Sequence, residues 1–198
     1  INVPSVLTTL VTDELDFPNL SMVGVDDRAA AYTAVDYLIR QGHRKIAVLG
    51  GPVTSYPSLM RRQGAQQAME DAGILFNDKL YGLSNYDFES AYHAMNSLLA
   101  RRAEFTALFA MSDVIAFGAI RALVSAGFRV PEDVSVIGFD GITMSRYCVP
   151  VMTTIVQPSE QIALQSIELL VRQIEHGSPA QTVTLQPELQ QGESVRAI

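Results

Sequence analysis

The feature that most constrains the fold is a recurring unit, in which a short apolar run precedes an amphipathic helical stretch and a glycine. From Met22 onwards, helical stretches end at Gly42, Gly73, Gly127 and Gly177. Glycine ends helices because it adopts the left-handed conformation without a steric penalty. Strands that alternate with helices in this way build mostly parallel sheets. The pattern therefore predicts an α/β fold.

The individual elements follow from hydrophobic periodicity. Strands are predicted at residues 22–25, 46–49, 107–110, 134–138 and 153–156, and helices at residues 28–41, 59–72, 88–101, 114–126 and 158–176. In the last helix, the residues expected to face inward are Ile162, Ile167, Leu170, Val171 and Ile174. Residues 181–189 alternate in polarity as an edge strand does. Residues 1–10 are predicted as a buried strand, so we expect a longer protein around this chain.

Charge and composition exclude several classes of protein. The chain has 14 Lys and Arg against 21 Asp and Glu, a formal net charge of −7, so it lacks the basic surface that nucleic-acid binding needs. Any DNA binding would have to come from another segment. The single cysteine, Cys148, is expected to be a buried small hydrophobic residue. No apolar run reaches the roughly 20 residues of a membrane span.

Enzymatic motifs are absent from the sequence. Gly50, Gly51 and Pro52 follow a predicted strand, but a dinucleotide or P-loop glycine pattern is missing. The three histidines, His43, His93 and His176, show no metal-ligand spacing and are expected in solvated or helix-terminal positions. No G-x-S-x-G nucleophile elbow is present. We therefore expect no metal, no cofactor and no catalytic activity.

Polar residues just after predicted strands are the candidates for ligand binding, because open α/β sheets place ligands there. Arg61 lies near a helix start, where the dipole disfavours a cation, so it needs a partner or a ligand. Asp113 is either a helix N-cap or a ligand contact. Asp140 is a turn former or an acceptor for ligand donors. Tyr86 either stacks on a ligand ring or covers the core.

Several motifs together resemble the LacI/GalR family of lactose and galactose repressors. In chain order they are VDD at residues 25–27, GHRKIA at 42–47, GGP at 50–52, RRQG at 61–64, SDV at 112–114, VPEDVSVIGFD at 130–140 and TTIVQP at 153–158. The run at 130–140 is the most specific of these. The resemblance covers the chain from about residue 20 and identifies it with the effector-binding domain of that family.

The resemblance implies a periplasmic-binding-protein-like fold of type I, with two Rossmann-like lobes that each contain a parallel sheet. Chain crossings are expected near residues 41–44, 154–158 and 177–180. Residues 1–43 and 158–177 would then form an incomplete N-terminal lobe, and residues 44–157 and 178–198 the C-terminal lobe. The first strands of the N-terminal lobe and the helix-turn-helix would lie outside this chain.

The resemblance also implies a set of ligand-binding residues. Arg61 would bind ligand hydroxyls or a carboxylate, Asp140 would accept from ligand donors, and Tyr86 would stack on an apolar face. The remaining candidates are Ser112, Asp113, Gln157 and Asp27, the last expected from the N-terminal lobe. The run Gly192-Glu193-Ser194 departs from the family, whose members commonly carry arginine before the Ser or Thr of the last strand.

The implied function is that of a cytoplasmic transcriptional regulator. A sugar or nucleoside would bind between the lobes and control operator binding by a homodimer. Residues 114–124 and 147–152 are the candidate dimer surfaces. The alternatives are a periplasmic sugar-binding protein of an ABC-type transporter, which shares the fold, and an enzyme on a Rossmann-like scaffold, which lacks a catalytic constellation.

Overall fold

The computed structural model describes residues 3–12, 14–15 and 17–198. The strands are β1 (Ser5–Thr8), β2 (Leu20–Val25), β3 (Ile46–Gly50), β4 (Tyr81–Leu83), β5 (Ala107–Ala110), β6 (Ser135–Asp140), β7 (Thr153–Val156), β8 (Thr182–Leu185) and β9 (Glu188–Gln190). The α-helices are α1 (Asp27–Arg40), α2 (Tyr56–Asp71), α3 (Phe88–Ala100), α4 (Asp113–Ser125) and α5 (Ser159–His176). Among the described residues, no helix is both long enough and apolar enough to cross a bilayer.

The chain divides into two compact units. The first unit contains Ile1–Asp26 and Gln157–Glu188, and the second contains Asp27–Val156 and Leu189–Ile198. The sheet of the first unit has the order β1-β2-β8, with parallel pairing throughout. The sheet of the second unit has the order β4-β3-β5-β6-β7-β9, and the pairs from β4 to β7 are parallel. The predicted parallel α/β architecture is confirmed.

Burial explains why the second unit forms these strands. All four residues of β5 have no exposed surface, and every residue of β3 is buried. Such strands are covered on both faces, so they read as continuous apolar runs. The large side chains of Phe109 and Phe139 are fully buried among the helices and the sheet. This core fixes where the strand ends lie, and hence where the polar residues after them lie.

Helix α1 lies on α2 within the second unit, through a close approach at Gly64. A Cβ atom at Gly64 would lie 2.0 Å from the carbonyl oxygen of Arg28, so only glycine fits this contact. This packing corrects the expected lobe boundary, which placed residues 1–43 together. The division falls between Asp26 and Asp27 instead, because α1 buries its apolar side against the second unit.

The end of the chain also divides differently from expectation. We expected residues 178–198 with the second unit, but β8 pairs with β2, so the residues up to Glu188 group with the first unit. The strand predicted at residues 181–189 is two strands, β8 and β9. The change of unit between Val156 and Gln157 falls inside the expected crossing at residues 154–158.

Helix α5 buries Ile162 as predicted, but the rest of its buried face differs from the one predicted. Its buried residues are Ile162, Ser166, Leu169 and Gln173, whereas Ile167, Val171 and Ile174 are exposed. The Ser21 hydroxyl donates to Gln173 Oε1 at 3.0 Å, and the Gln173 amide donates to the Asn19 carbonyl at 3.4 Å. Because these hydrogen bonds satisfy a buried polar side chain, the less apolar face can face the sheet. Periodicity alone selects the more apolar face.

Three local differences concern shorter segments. Strand β4 is not predicted, and α2 begins at Tyr56 rather than residue 59, because the Ser55 side chain caps it by accepting from the Ser58 amide. In the first strand, Ser5–Thr8 is half-buried rather than buried. Residues 1 and 2 of that prediction lie outside the described residues.

Candidate functional site

The carboxyl ends of the strands in the second unit form the expected place for a ligand. Strand β3 lies between β4 and β5, so the chain runs from β3 outward to β4 on one side and then returns past β3 to β5 on the other. Open parallel sheets bind ligands at such a switch point, in the crevice beyond the strand ends. Gly51 follows β3, Ser112 follows Met111 after β5, and Asp140 is the last residue of β6.

Arg61 lies at this edge of the sheet and is 5% exposed. Its Nε donates to Asp27 Oδ1 at 2.7 Å, and its Nη1 donates to the Met111 carbonyl. The guanidinium carbon lies 3.7 Å from the centroid of the Phe139 ring, a cation–π arrangement. Arg61 Nη1 also lies 3.6 Å from Asp140 Oδ1. The expectation that this arginine needs a partner is confirmed.

Asp27 is the first residue of α1 and is 5% exposed. We expected it from the N-terminal lobe, but it belongs to the second unit and pairs with Arg61. An acidic residue in the first turn of a helix also interacts favourably with the helix dipole. Asp27 therefore holds Arg61 in place by charge as well as by a hydrogen bond.

Asp140 is the most accessible member of this group, with 27% of its side chain exposed. Its backbone has φ of 111°, which a non-glycine residue adopts only under strain, and Gly141 follows with φ of 70°. A Cβ at Gly141 would lie 2.7 Å from the Val156 side chain. Asp140 thus forms the turn and presents a partly exposed carboxylate, and its role as an acceptor for a ligand stays a prediction.

Ser112 and Asp113 are buried at the start of α4. Ser112 is the N-cap, and its Oγ accepts from the Ile115 amide at 3.1 Å. Asp113 has no exposed surface; its Oδ1 accepts from the Thr154 hydroxyl at 2.6 Å and its Oδ2 from the Ile142 amide at 2.8 Å. Burial raises the pKa of Asp113 to about 6, and the two hydrogen bonds oppose that rise.

Tyr86 lies in the loop between β4 and α3, with φ of 59°. Its ring covers Gly51 so closely that a Cβ there would lie 2.1 Å from Cε2 of the ring. The tyrosine hydroxyl is buried and has no hydrogen-bond partner among the described residues. Gln157, the remaining candidate, belongs to the first unit, where its carbonyl accepts from the Ser159 amide at 2.8 Å.

The second unit therefore contains six of the seven predicted site residues, with Arg61, Asp27 and Asp140 in direct contact. Sequence reasoning missed Phe139 beneath Arg61 and Thr154 beside Asp113. Both are inside motifs that carried the family resemblance, so position in those motifs was the available signal. One guanidinium contacts two carboxylates, Asp27 and Asp140, so this cluster carries an excess of negative charge even when Asp113 is protonated.

A separate cavity of about 580 Å³ lies at the opposite, amino ends of the strands. Its lining includes Arg44, Ile46, Met69, Leu80 and Glu104. None of the predicted site residues lines it, so it is distinct from the cluster around Arg61. Among the described residues, no group of His, Cys, Asp and Glu side chains has the arrangement of a metal site.

The histidines and the cysteine differ partly from expectation. His93 and His176 are exposed, as expected, but His43 is 1% exposed, with ring nitrogens 2.9 Å from Thr106 Oγ1 and 3.1 Å from the Arg196 carbonyl. Burial lowers the pKa of His43. Cys148 is half-buried rather than buried, and its thiol donates to the carbonyls of Ser145 and Pro150.

The tail retains ordered contacts despite its departure from the family pattern. The Ser194 hydroxyl donates to the Val136 carbonyl at 2.6 Å and accepts from the Thr153 amide at 2.8 Å. Glu193 accepts from the Val151 amide at 3.2 Å. These contacts fasten the end of the chain to the second unit.

Comparison with known proteins gives a family match over residues 35–195, to the periplasmic binding protein-like domain. The HTH-type transcriptional repressor PurR of Histophilus somni is 35% identical over 181 residues, which are 91% of this chain and 54% of that protein. The HTH-type transcriptional repressor CytR of Escherichia coli K12 is 37% identical over 172 residues, covering 87% of this chain and 50% of that protein.

A solved structure described as a complex of the transcriptional regulator CelR with cellobiose is also similar. It has a TM-score of 0.85 and 33% identity, and the match covers 91% of this chain and 56% of that one. The chain thus spans about half the length of the curated relatives it matches. These three relatives are named as transcriptional repressors and a regulator, and none of them as an enzyme. This chain belongs to the periplasmic binding protein-like domain family, in the form found in the LacI family of transcriptional regulators.

Proposed function

We propose that this chain is the effector-sensing part of a LacI-type transcriptional regulator, and that it binds a small uncharged ligand such as a sugar or a nucleoside. The observation that carries the proposal is the contact of Arg61 and Asp140 at the switch point of the second unit. The similarity to a regulator in complex with cellobiose supports it.

The chemistry of these two groups favours a ligand with neighbouring hydroxyls. A guanidinium offers several N–H donors in one plane, and a carboxylate offers only acceptors. A hydroxyl group can both accept from Arg61 and donate to Asp140. The buried hydroxyl of Tyr86 adds a further polar atom near Gly51. Because carboxylates outnumber guanidinium groups in the cluster, a phosphorylated ligand is disfavoured.

Signal transmission would require two states of the regulator that differ in affinity for the ligand. We propose that ligand binding at the site of the second unit shifts the equilibrium between these states. A ligand shifts such an equilibrium only through different contacts in the two states, typically worth about 1–3 kcal/mol. The output would be operator binding through a helix-turn-helix outside this sequence, in the cytoplasm.

We also propose that the regulator is a homodimer that uses the two surfaces named from the sequence. In residues 147–152, Tyr147 is 77% exposed and Val149 is 93% exposed, whereas Met152 is buried. Val124, at the end of α4, is 52% exposed. Large apolar side chains exposed together indicate an interaction site. These surfaces support self-association of the second unit.

The test is isothermal titration of the full-length protein with cellobiose, ribose, adenosine and cytidine. We expect one of them to bind, and Asp140→Ala and Arg61→Lys each to weaken binding at least tenfold, because each leaves ligand hydroxyls unpaired. Glu104→Gln, which removes a carboxylate at the opposite end of the sheet, serves as the control and should bind normally. Unchanged affinity in both site variants would remove the proposed site.

A periplasmic solute-binding protein is the second candidate, because the family that matches is named for such proteins. The two functions differ in DNA binding. Salt-dependent, sequence-specific DNA binding by the full-length protein would support the regulator. Ligand binding without any DNA binding would favour the solute-binding protein.

A further inference from the structure

The surroundings of Asp113 indicate a role other than direct contact with a ligand. Its side chain is fully buried, and both carboxylate oxygens accept hydrogen bonds from this chain itself. One bond comes from the Thr154 hydroxyl on β7, and the other from the Ile142 amide in the turn after β6. The carboxylate therefore connects the start of α4 to strand β7 and to the turn that follows β6.

We infer that Asp113 is a positioning residue that holds the turn at Gly141 and Ile142 and thereby aims the Asp140 carboxylate at the ligand. This inference rests on the proposed function, because Asp140 is the ligand acceptor there. Asp113 would then act through Asp140 and not touch the ligand itself, unlike the direct contact that the family resemblance implied.

The backbone of the turn needs such an anchor. Asp140 and Gly141 have φ of 111° and 70°, both in the region that residues other than glycine avoid. A strained conformation persists only where the surroundings hold it. The Ile142 amide follows the strained Asp140 and the glycine after it, and its hydrogen bond to Asp113 holds the turn where it leaves β6.

Gly138 in the middle of β6 makes room for this contact. A Cβ atom there would lie 2.2 Å from Asp113 Oδ1 and 3.3 Å from Thr154 Oγ1. Glycine weakens a strand interior, and it commonly marks a close approach of another group. The strand therefore gives up a side chain at the point where the carboxylate approaches it.

The carboxylate is unfavourable for the fold in its ionised form. Burial is the main reason that the pKa of Asp113 is raised to about 6, and the nearby Asp140 carboxylate adds to it. The Cys148 thiol also interacts with Asp113, and it is neutral at neutral pH because burial raises its pKa. If this residue served stability alone, a neutral side chain would be more favourable at this buried position. We therefore attribute the charged carboxylate to its hydrogen bond with the turn.

The experiment compares Asp113→Asn, which keeps one acceptor oxygen, with Asp113→Leu, which has a similar shape and no acceptor. The first readout is hydrogen exchange at the Ile142 amide in the full-length protein at pH 7.5, together with the melting temperature. We expect exchange about fivefold faster in Asp113→Asn and at least tenfold faster in Asp113→Leu, because a charge-assisted hydrogen bond is weakened or lost. Asp113→Asn should melt no lower than the wild type.

The second readout is affinity for cellobiose, ribose, adenosine and cytidine, which should fall in the same order as Ile142 protection. Glu104→Gln, at the opposite end of the sheet, serves as the control and should match the wild type. Unchanged Ile142 exchange in a folded variant would overturn the inference, as would affinity losses that simply follow the melting temperature. If Asp113→Leu does not fold, the Asp113→Asn comparison decides alone. If no probe binds the wild type, the proposed function fails. Hydrogen exchange at Ile142 still tests whether Asp113 holds the turn.

Discussion

The ion pair between Arg61 and Asp27 offers the sharpest test of how the site is built. Both side chains are about 95% buried, and Arg61 Nε lies 2.7 Å from Asp27 Oδ1. Asp27→Ala leaves the guanidinium buried without its main counter-charge. Removing one partner of a buried pair costs about 3–5 kcal/mol, mostly because the remaining charge is desolvated.

The structure places the expected cost at the lower end of that range. Arg61 would keep its hydrogen bond to the Met111 carbonyl, and Asp140 Oδ1 already lies 3.6 Å from Nη1. Asp140 is partly exposed, so it can move closer and supply some of the lost attraction. We therefore expect Asp27→Ala to lower the free energy of unfolding by about 3 kcal/mol.

Urea unfolding followed by circular dichroism measures this loss, with Arg61→Met and the double variant completing a thermodynamic cycle. The double variant should lose less than the two single losses combined, by at least about 1.5 kcal/mol. Glu104→Ala is the matched control, since its ion pair with Lys45 is exposed and should contribute nothing measurable. A loss below about 1 kcal/mol for Asp27→Ala, or an additive cycle, would refute the reasoning.

The helix contact, the buried carboxylate and the exposed apolar surface each lead to a measurable outcome. Gly64→Ala should lower the free energy of unfolding, measured in urea, by more than about 2 kcal/mol, because the added Cβ would meet the Arg28 carbonyl at 2.0 Å. Gly73→Ala, where φ is 70° and nothing lies within 4 Å, should cost only about 1 kcal/mol. Equal costs for the two variants would contradict the packing. The pKa of Asp113 is raised from 3.8 to about 6, so its contribution to stability should fall by about 3 kcal/mol in total as the pH rises from about 3 to 7. Asp113→Asn should remove that part of the pH profile, and an unchanged profile would contradict the shift. Val149→Glu should convert the proposed homodimer to a monomer in analytical ultracentrifugation, and a dimer that persists would place the interface elsewhere.

Local pattern was sufficient for much of the fold. The apolar runs at β3 and β5 are buried on both faces, so hydrophobicity alone identifies them. Helices ending at glycine were placed well, since Gly42, Gly127 and Gly177 all have positive φ. These features depend on neighbouring residues only, which a single sequence contains.

The predictions that were wrong or incomplete concern features that depend on contacts between residues far apart in the sequence. Helix α5 buries Gln173 because Ser21 and Asn19, far away in the sequence, satisfy its amide. The membership of α1 in the second unit depends on a close approach at Gly64 that no periodicity reveals. In the site, Arg61 and Asp140 were recognised from motifs, but the role of Asp113 follows only from knowing which amide it accepts from.

The central claim is that Arg61 and Asp140 together bind an uncharged metabolite at the carboxyl ends of the second unit's strands. A crystal structure of the full-length protein with its bound effector tests it most directly. Hydroxyl groups of the ligand should lie within hydrogen-bond distance, about 3.2 Å, of both the Arg61 guanidinium and the Asp140 carboxylate. An effector seated instead in the cavity at the amino ends of the strands, against Arg44 and Leu80, would contradict the account.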